Sequence, residues 1–312
     1  MIALVAKRIL ATVPVLGVVA LVVFLMLRLS GDPAAILAGD TASPQQVEQV
    51  RVALGLDRPI HEQFVTWMGQ ILRLDLGRSL FTGLPVTTLI AQRLEPTVML
   101  ALTTIAFSVL VAVPLGVLAA WKSGSWIDRA VMVLAVVGFS VPVFVMGYFL
   151  IFTFSINLRW LPVQGYTSPF VDPGRFLAQI ILPTLTLSCI YVALIARITR
   201  ASVMEVLSED YIRTARAKGQ VERTVLFRHA LKNAAVPIVT VIGLGVALLI
   251  GGVVVTESVF NVPGLGRLVV DAITRRDYPI IQGLILFFAL VYVVLNLLID
   301  IASTLVDPRI RY

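Results

Sequence analysis

The side chains able to do chemistry in this sequence are few and scattered. His61 and His229 lie far apart, and Cys189 is the only cysteine. No intrachain disulfide, Cys-based metal site or His-rich metal site can therefore form. The chain has no G-x-x-x-x-G-K-S/T stretch to cradle phosphates, no H-E-x-x-H, no C-x-x-C and no G-x-S-x-G. The remaining ionisable groups of interest are carboxylates at the ends of apolar runs: Glu257, and Asp300 one turn after Asn296. An acid in such a run can carry a proton or hold an ion. No second acid continues a relay from Asp300, so a hydrated or paired structural group is the expectation there. Hydrolase and protease chemistry has no constellation.

The elements that hold these residues are apolar. Of 312 residues 58% are hydrophobic and 14% charged, with a mean hydropathy of +0.95. Soluble domains have an apolar content nearer ~45–50%, so this is the composition of an integral membrane protein. The net charge of +7 could suit nucleic acid. The basic residues cluster between apolar runs, however, and membrane orientation accounts for them without nucleic acid.

Six runs reach the ~20 residues that a crossing requires: 9–27, 98–121, 131–156, 177–198, 234–255 and 280–306. The first follows Lys7 and Arg8 and is too long for the core of a signal peptide. With the N-terminus inside, the inner segments carry 14 Lys and Arg against 5 in the two short outer loops. Both termini are therefore expected in the cytoplasm. Pro114, Pro142 and Pro183 allow kinks, and Gly243, Gly245, Gly251 and Gly252 allow close approach in the fifth helix. Thr184, Thr186 and Ser188 are expected to hydrogen-bond between helices. The spacing predicts an all-α polytopic fold. Residues 1–96 form a first transmembrane helix plus an external helical loop, and 97–312 form a five-helix core with a cytoplasmic loop at 199–233.

The external loop reads as a small helical domain. Ser43-Pro44-Gln45-Gln46 predicts a helix start with Ser at the N-cap, Pro at N1 and Gln at N3, ending at Gly55. Pro59 starts a second helix, with Ile60, Phe64, Trp67, Ile71 and Leu74 as a packing stripe.

The longest polar run of the C-terminal two-thirds is SEDYIRTARAKGQVERTVLFRHALKN, from Ser208 to Asn233. It predicts a helix, a break at Gly219 and a second helix. Ser208 is the expected N-cap, Glu209 and Asp210 suit the first turn, and Arg216 and Lys218 suit the last. On composition alone this is a basic, solvated loop against anionic lipid. The run Tyr211-Ile212-Arg213-Thr214-Ala215-Arg216-Ala217-Lys218-Gly219, however, resembles the coupling loop of ABC importer permeases, more narrowly the dipeptide, oligopeptide and nickel family. That superfamily carries E-A-A-x-x-x-G there. Ala215 and Gly219 match, while Arg213 and Thr214 replace Glu and Ala, as in the peptide branch. Gly31-Asp32-Pro33, Leu54-Gly55-Leu56-Asp57 and Gly77-Arg78-Ser79 are similar to the family's N-terminal region.

A second turn-rich segment, TESVFNVPGLGRLVVDAITRRDYPII, lies between the fifth and sixth runs. As residues it is a rigid re-entry loop with a short helix at about 267–273. By the resemblance it forms the outer mouth and meets a binding protein through Asn261, Pro263, Gly264, Gly266, Arg275, Arg276, Asp277 and Tyr278.

The resemblance implies a type I ABC importer permease fold and the first permease of a pair. It implies partners: a second homologous permease, two ATPase subunits, an extracytoplasmic substrate-binding protein and the bilayer of a bacterial inner membrane. ATP and Mg would sit on the ATPases, with no cofactor and no catalytic or metal residue in this chain. The coupling residues would be Glu209, Asp210, Tyr211, Arg213, Thr214, Ala215, Ala217, Lys218, Gly219 and His229. Helices three to five would line the path for di- or oligopeptides, with glutathione or nickel as alternative cargo. An ion-coupled secondary transporter is the rival, and it would need a midplane site that the residues do not supply.

Overall fold

The computed structural model of the chain describes residues 2–29, 33–38, 42–53 and 55–306. Gly31, Asp32, Leu54, Arg309 and Arg311 lie outside the described residues, as do the side chains of Lys7, Arg8 and Asp300 and the surroundings of Gly251 and Gly252. Among the described residues the regular structure is helical apart from one antiparallel bridge between Arg78 and Pro85. In chain order the helices are α1 (Ile2–Leu29), α2 (Pro33–Ala38), α3 (Pro44–Ala53), α4 (Ile60–Leu72) and α5 (Val86–Trp121). Then come α6 (Trp126–Ser140), α7 (Val143–Asn157), α8 (Pro173–Leu207), α9 (Asp210–Ala217) and α10 (Glu222–Asn233). The last three are α11 (Ala235–Val259), α12 (Leu265–Arg275) and α13 (Tyr278–Val306). The turns of α7 widen to the π form from Ile151, and those of α10 widen over Val225–Ala230.

Among the described residues α5, α8 and α13 are unbroken, long and apolar enough to cross a bilayer. Counting the bent pairs α6–α7 and α10–α11 as one span each gives five, and α1 adds a shorter apolar stretch, Leu10–Met26. The third run was expected as one kinked helix. It is two helices at 103°. Pro142 forces Val141 out of the helical region (φ −83°, ψ 123°) and then opens α7 itself. Pro96 and Pro114 lie inside α5, and Pro183 lies inside α8, without ending either helix.

The chain forms two compact units, Met1–Leu94 with Leu268–Val293 and Glu95–Arg267 with Val294–Tyr312. In the first, Phe24 of α1 is buried against Phe64 and Trp67 of α4, with ring centroids 5.2 and 5.5 Å away. Ile60 and Leu74, expected on the same stripe, are exposed, and Leu74 lies past the helix end at φ +61°. The start of α3 is a complete capping box. Gln46 N donates to Ser43 Oγ (3.3 Å) and Ser43 N donates to Gln46 Oε1 (2.8 Å).

In the second unit α8 is the hub. Leu182, Leu187, Tyr191, Ile195 and Ala196 are buried along it. Small residues let its neighbours come close: a Cβ on Gly116 of α5 would lie 2.6 Å from Thr199 Cβ. Such approach is how helices associate where lipid removes the hydrophobic drive. Thr184 Oγ1 meets Thr103 Oγ1 of α5 at 2.9 Å, and Ser188 Oγ donates to Thr104 O at 3.4 Å. Thr186 bonds Leu182 O of its own helix instead, which corrects its expected interhelical role.

Candidate functional site: an exposed helical hairpin

The hairpin at 208–233 starts one residue later than the sequence predicts. Ser208 keeps nearly helical angles (φ −83°, ψ −12°), and its hydroxyl donates to Glu205 O at 2.7 Å. It therefore closes α8 rather than opening α9, because α8 runs without interruption to Leu207. Glu209, extended, precedes α9, and no side chain caps the helix. Asp210 occupies the first turn and Arg216 the last, which suits the helix dipole.

Gly219 ends α9 as expected. It has φ +75°, its N–H reaches Arg216 O at 2.9 Å, and Gln220 N reaches Ala215 O at 3.2 Å. These two bonds are the Schellman pair that satisfies the last carbonyls of a helix. Arg216 Nε then pairs with Glu222 Oε1 across the turn at 2.8 Å.

Among the described residues only one face of α9 is held by the rest of the chain. Ile212 is fully buried and Ala215 half-buried. Glu209, Asp210, Tyr211, Arg213, Thr214, Ala217, Lys218 and Gly219 are exposed. The base beneath is firm: Leu226 and Ala230 of α10 pack with Val203 and Ala234, and Val225 is fully buried. Asn233 Nδ2 donates to the Tyr211 hydroxyl and to the carbonyl of half-buried His229, both at 2.8 Å. The result is a short, solvent-facing helix on a fixed mount.

A second support was not read from the sequence. Arg200 near the end of α8 grips Asp128 in the first turn of α6 with two bonds, the Nη2–Oδ2 one at 2.7 Å. Gly124 N adds a bond to Asp128 Oδ2 at 2.9 Å, and Ser125 Oγ caps α6 through Asp128 N at 3.4 Å. The available signal was a lone acid three residues after a serine, just ahead of an apolar run.

Of the residues expected at the outer mouth, the buried ones divide between two clusters. In the second unit Glu257 is fully buried. Its carboxylate accepts from Thr97 Oγ1 (2.6 Å) and Arg267 N (3.0 Å), while Leu265 N donates to Thr97 Oγ1 (2.8 Å). Gly264 and Gly266 are buried beside it. A Cβ on Gly264 would lie 2.0 Å from Glu257 Oε1. Pro263 is half-buried, and Asn261 is exposed at φ +53°. In the first unit Asp277 is buried and accepts from Ser79 Oγ (2.6 Å) and Leu80 N (3.2 Å), with Tyr278 buried next to it. Arg275 and Arg276 are exposed. Of the eight residues, Asn261, Arg275 and Arg276 face outward, and the buried ones have partners within the chain.

Within the second unit α5–α8 also border an apolar groove of about 480 Å³, lined by Phe107, Leu134, Met146, Leu185, Cys189 and Val192 among others. Ala135 and Ala193 are shared with a smaller cleft that reaches Ser140 and Arg197.

Residues 112–312 match the family described as the binding-protein-dependent transport system inner membrane component, and residues 1–101 match its N-terminal companion. The chain belongs to this family. It is a multi-pass inner-membrane permease subunit. The permease is 56% identical over 307 residues to a probable peptide ABC transporter permease protein of Sinorhizobium fredii, covering 98% of each chain. It is 46% identical to a putative peptide transport system permease protein of Brucella abortus, over the whole of both. Its identity to the glutathione transport system permease protein GsiC of Shigella flexneri is 44%, over 99% of the permease and 98% of that protein. In fold it is similar to a chain of the inward-facing MetNI methionine ABC transporter, with a TM-score of 0.56 at 16% identity. That likeness covers 71% of the permease and 97% of the other chain.

Proposed function

We propose that the permease forms half of the translocation path of an ATP-driven importer of di- or oligopeptides and couples that path to ATPase subunits through α9. A second homologous permease supplies the other half, two ATPases carry ATP and Mg, and an extracytoplasmic binding protein delivers cargo. Both termini and the hairpin face the cytoplasm. The names of the relatives favour peptide cargo, and glutathione, itself a short peptide, is the second reading.

The observation that carries this reading is the mounting of α9. A helix exposed on all sides but one and anchored by Ile212 gains nothing for its own fold by projecting into water. Its exposed residues, Asp210, Arg213, Thr214, Ala217 and Lys218, are available to a groove on a partner. Force on α9 passes to α10, and from α10 to α8 through the buried Leu226, Ala230 and Val203, rather than through a loose linker. The groove among α5–α8 would form part of the path wall, with alternating access as the mechanism and no bond broken by this chain.

Cross-linking tests the arrangement. Cys189 is the only cysteine and is half-buried, so a Lys218→Cys variant has one exposed thiol. In the assembled complex a short bifunctional reagent should join that thiol to an ATPase subunit in high yield, and adding ATP should change the yield. A variant that assembles and transports but gives no ATPase adduct would overturn the docking.

A further inference from the structure

The first unit contains a cleft of about 360 Å³ that lies outside the proposed path wall. Phe24, Val52 and Trp67 make its apolar wall, and Arg58, Gln63 and Gln282 make its polar wall. Gln282 is only 8% exposed, yet its Nε2 has no acceptor among the described residues. Gln63 is the complement. Its Nε2 donates to Leu56 O (3.1 Å) and Arg58 O (2.6 Å), which fixes the amide's orientation and leaves Oε1 buried without a donor. Buried polar atoms are costly when unpaired, so two in one cleft call for an explanation. The Arg58 side chain is exposed and makes no hydrogen bond or ion pair among the described residues.

These groups specify a ligand. A guanidinium and an amide N–H ask for an anionic oxygen cluster, and an amide oxygen asks for an N–H. The place is equally specific. Phe24 lies near one end of α1 and Gln282 in the second turn of α13, the level where apolar helices meet headgroups. From Phe24 toward the middle of α1, Val18, Leu21 and Val22 are exposed, a surface suited to hydrocarbon chains. We propose that this cleft holds the headgroup of a zwitterionic phospholipid with a primary ammonium. The phosphate accepts from Arg58 and Gln282 Nε2, the ammonium donates to Gln63 Oε1, and Trp67 and Phe24 flank the glycerol.

The test uses the full-length chain in detergent and reads bound ligand by native mass spectrometry. The probes are phosphatidylethanolamine, phosphatidylcholine of the same acyl length, and free phosphoethanolamine. Phosphatidylethanolamine should bind at least about tenfold more tightly than phosphatidylcholine, whose trimethylammonium has no N–H for Gln63. It should also exceed phosphoethanolamine, which lacks the chains. Arg58→Gln, a surface change, and Gln282→Met, a change of similar volume, should each weaken phosphatidylethanolamine about tenfold. Equal binding of the two lipids, or undiminished binding to the Arg58→Gln chain, would overturn the proposal. So would phosphoethanolamine matching the lipid, which would make the ligand a soluble one.

Discussion

At the residue scale, the glycines of the 261–266 turn are packing requirements around one buried carboxylate. Glu257 ties the end of α11 to Thr97 of α5 and to the first turn of α12, and Gly264 leaves room for its head. The Gly264→Ala side chain would start 2.0 Å from Glu257 Oε1 and 2.2 Å from its Cδ, so the carboxylate must move and its bonds must stretch. Overpacking of this kind costs about 1–3 kcal/mol, and a broken bond to a charged group adds to it. Gly69→Ala is the matched control. It lies within α4, nothing stands within 4 Å of its Cβ, and alanine there should be neutral or stabilising by up to about 1 kcal/mol. Thermal unfolding in detergent should show a clear drop for Gly264→Ala alone. Equal midpoints for the two variants would mean that the cradle is not tight.

At the element scale, local signals were legible wherever a few neighbouring residues decide the outcome. Ser43 and Gln46 formed the expected capping box, and Gly219 the expected stop. Ser208 was misplaced because a serine suits either end of a helix gap, and the extent of α8 decided which end it took. The 103° break at Pro142 was read as a kink, since proline marks a weak point and tertiary packing sets the angle. The Asp128–Arg200 clasp and the Glu257 cradle join residues distant in sequence, and no local pattern encodes such pairings. Gly219 tests the best-read element. A Cβ there meets nothing within 4 Å, so the first atom of the Gly219→Val side chain enters open space. The substitution does force a side chain into φ +75°, at about 1–2 kcal/mol. Gly219→Asn tolerates that angle and isolates the added bulk. Both should insert normally into membranes, and both should lose uptake if α9 seats in a partner groove. Full uptake by the Asn variant with loss only in Val would assign the effect to strain.

At the scale of the whole molecule, the remaining choice is between a subunit driven by a partner's ATP and a carrier that cycles a charge of its own. Among the described polar groups within the spans, Thr103 meets Thr184, Ser188 donates to Thr104 O, and Glu257 is held by Thr97 of α5 and the first turn of α12. Asp300, near one end of α13, is the acid on which an ion-coupled reading would depend. If its charge is not cycled, Asp300→Asn should cost at most the stability of a charged hydrogen bond, on the order of 1–3 kcal/mol. Transport per assembled complex should then persist. A proton carrier would lose accumulation with that change, because the group could no longer take up and release a proton. The measurement is uptake into proteoliposomes of the whole complex with ATP supplied to the α9 side and an uncoupler added. Uptake should continue as long as ATP lasts, in the parent chain and in Asp300→Asn alike. Uptake that stops with the uncoupler and is missing in the Asn variant at normal assembly would sink the ATP-driven reading. The expected outcome is the first, because the chain carries an exposed helix on a fixed mount and a single acid, Asp300, on which a relay would depend.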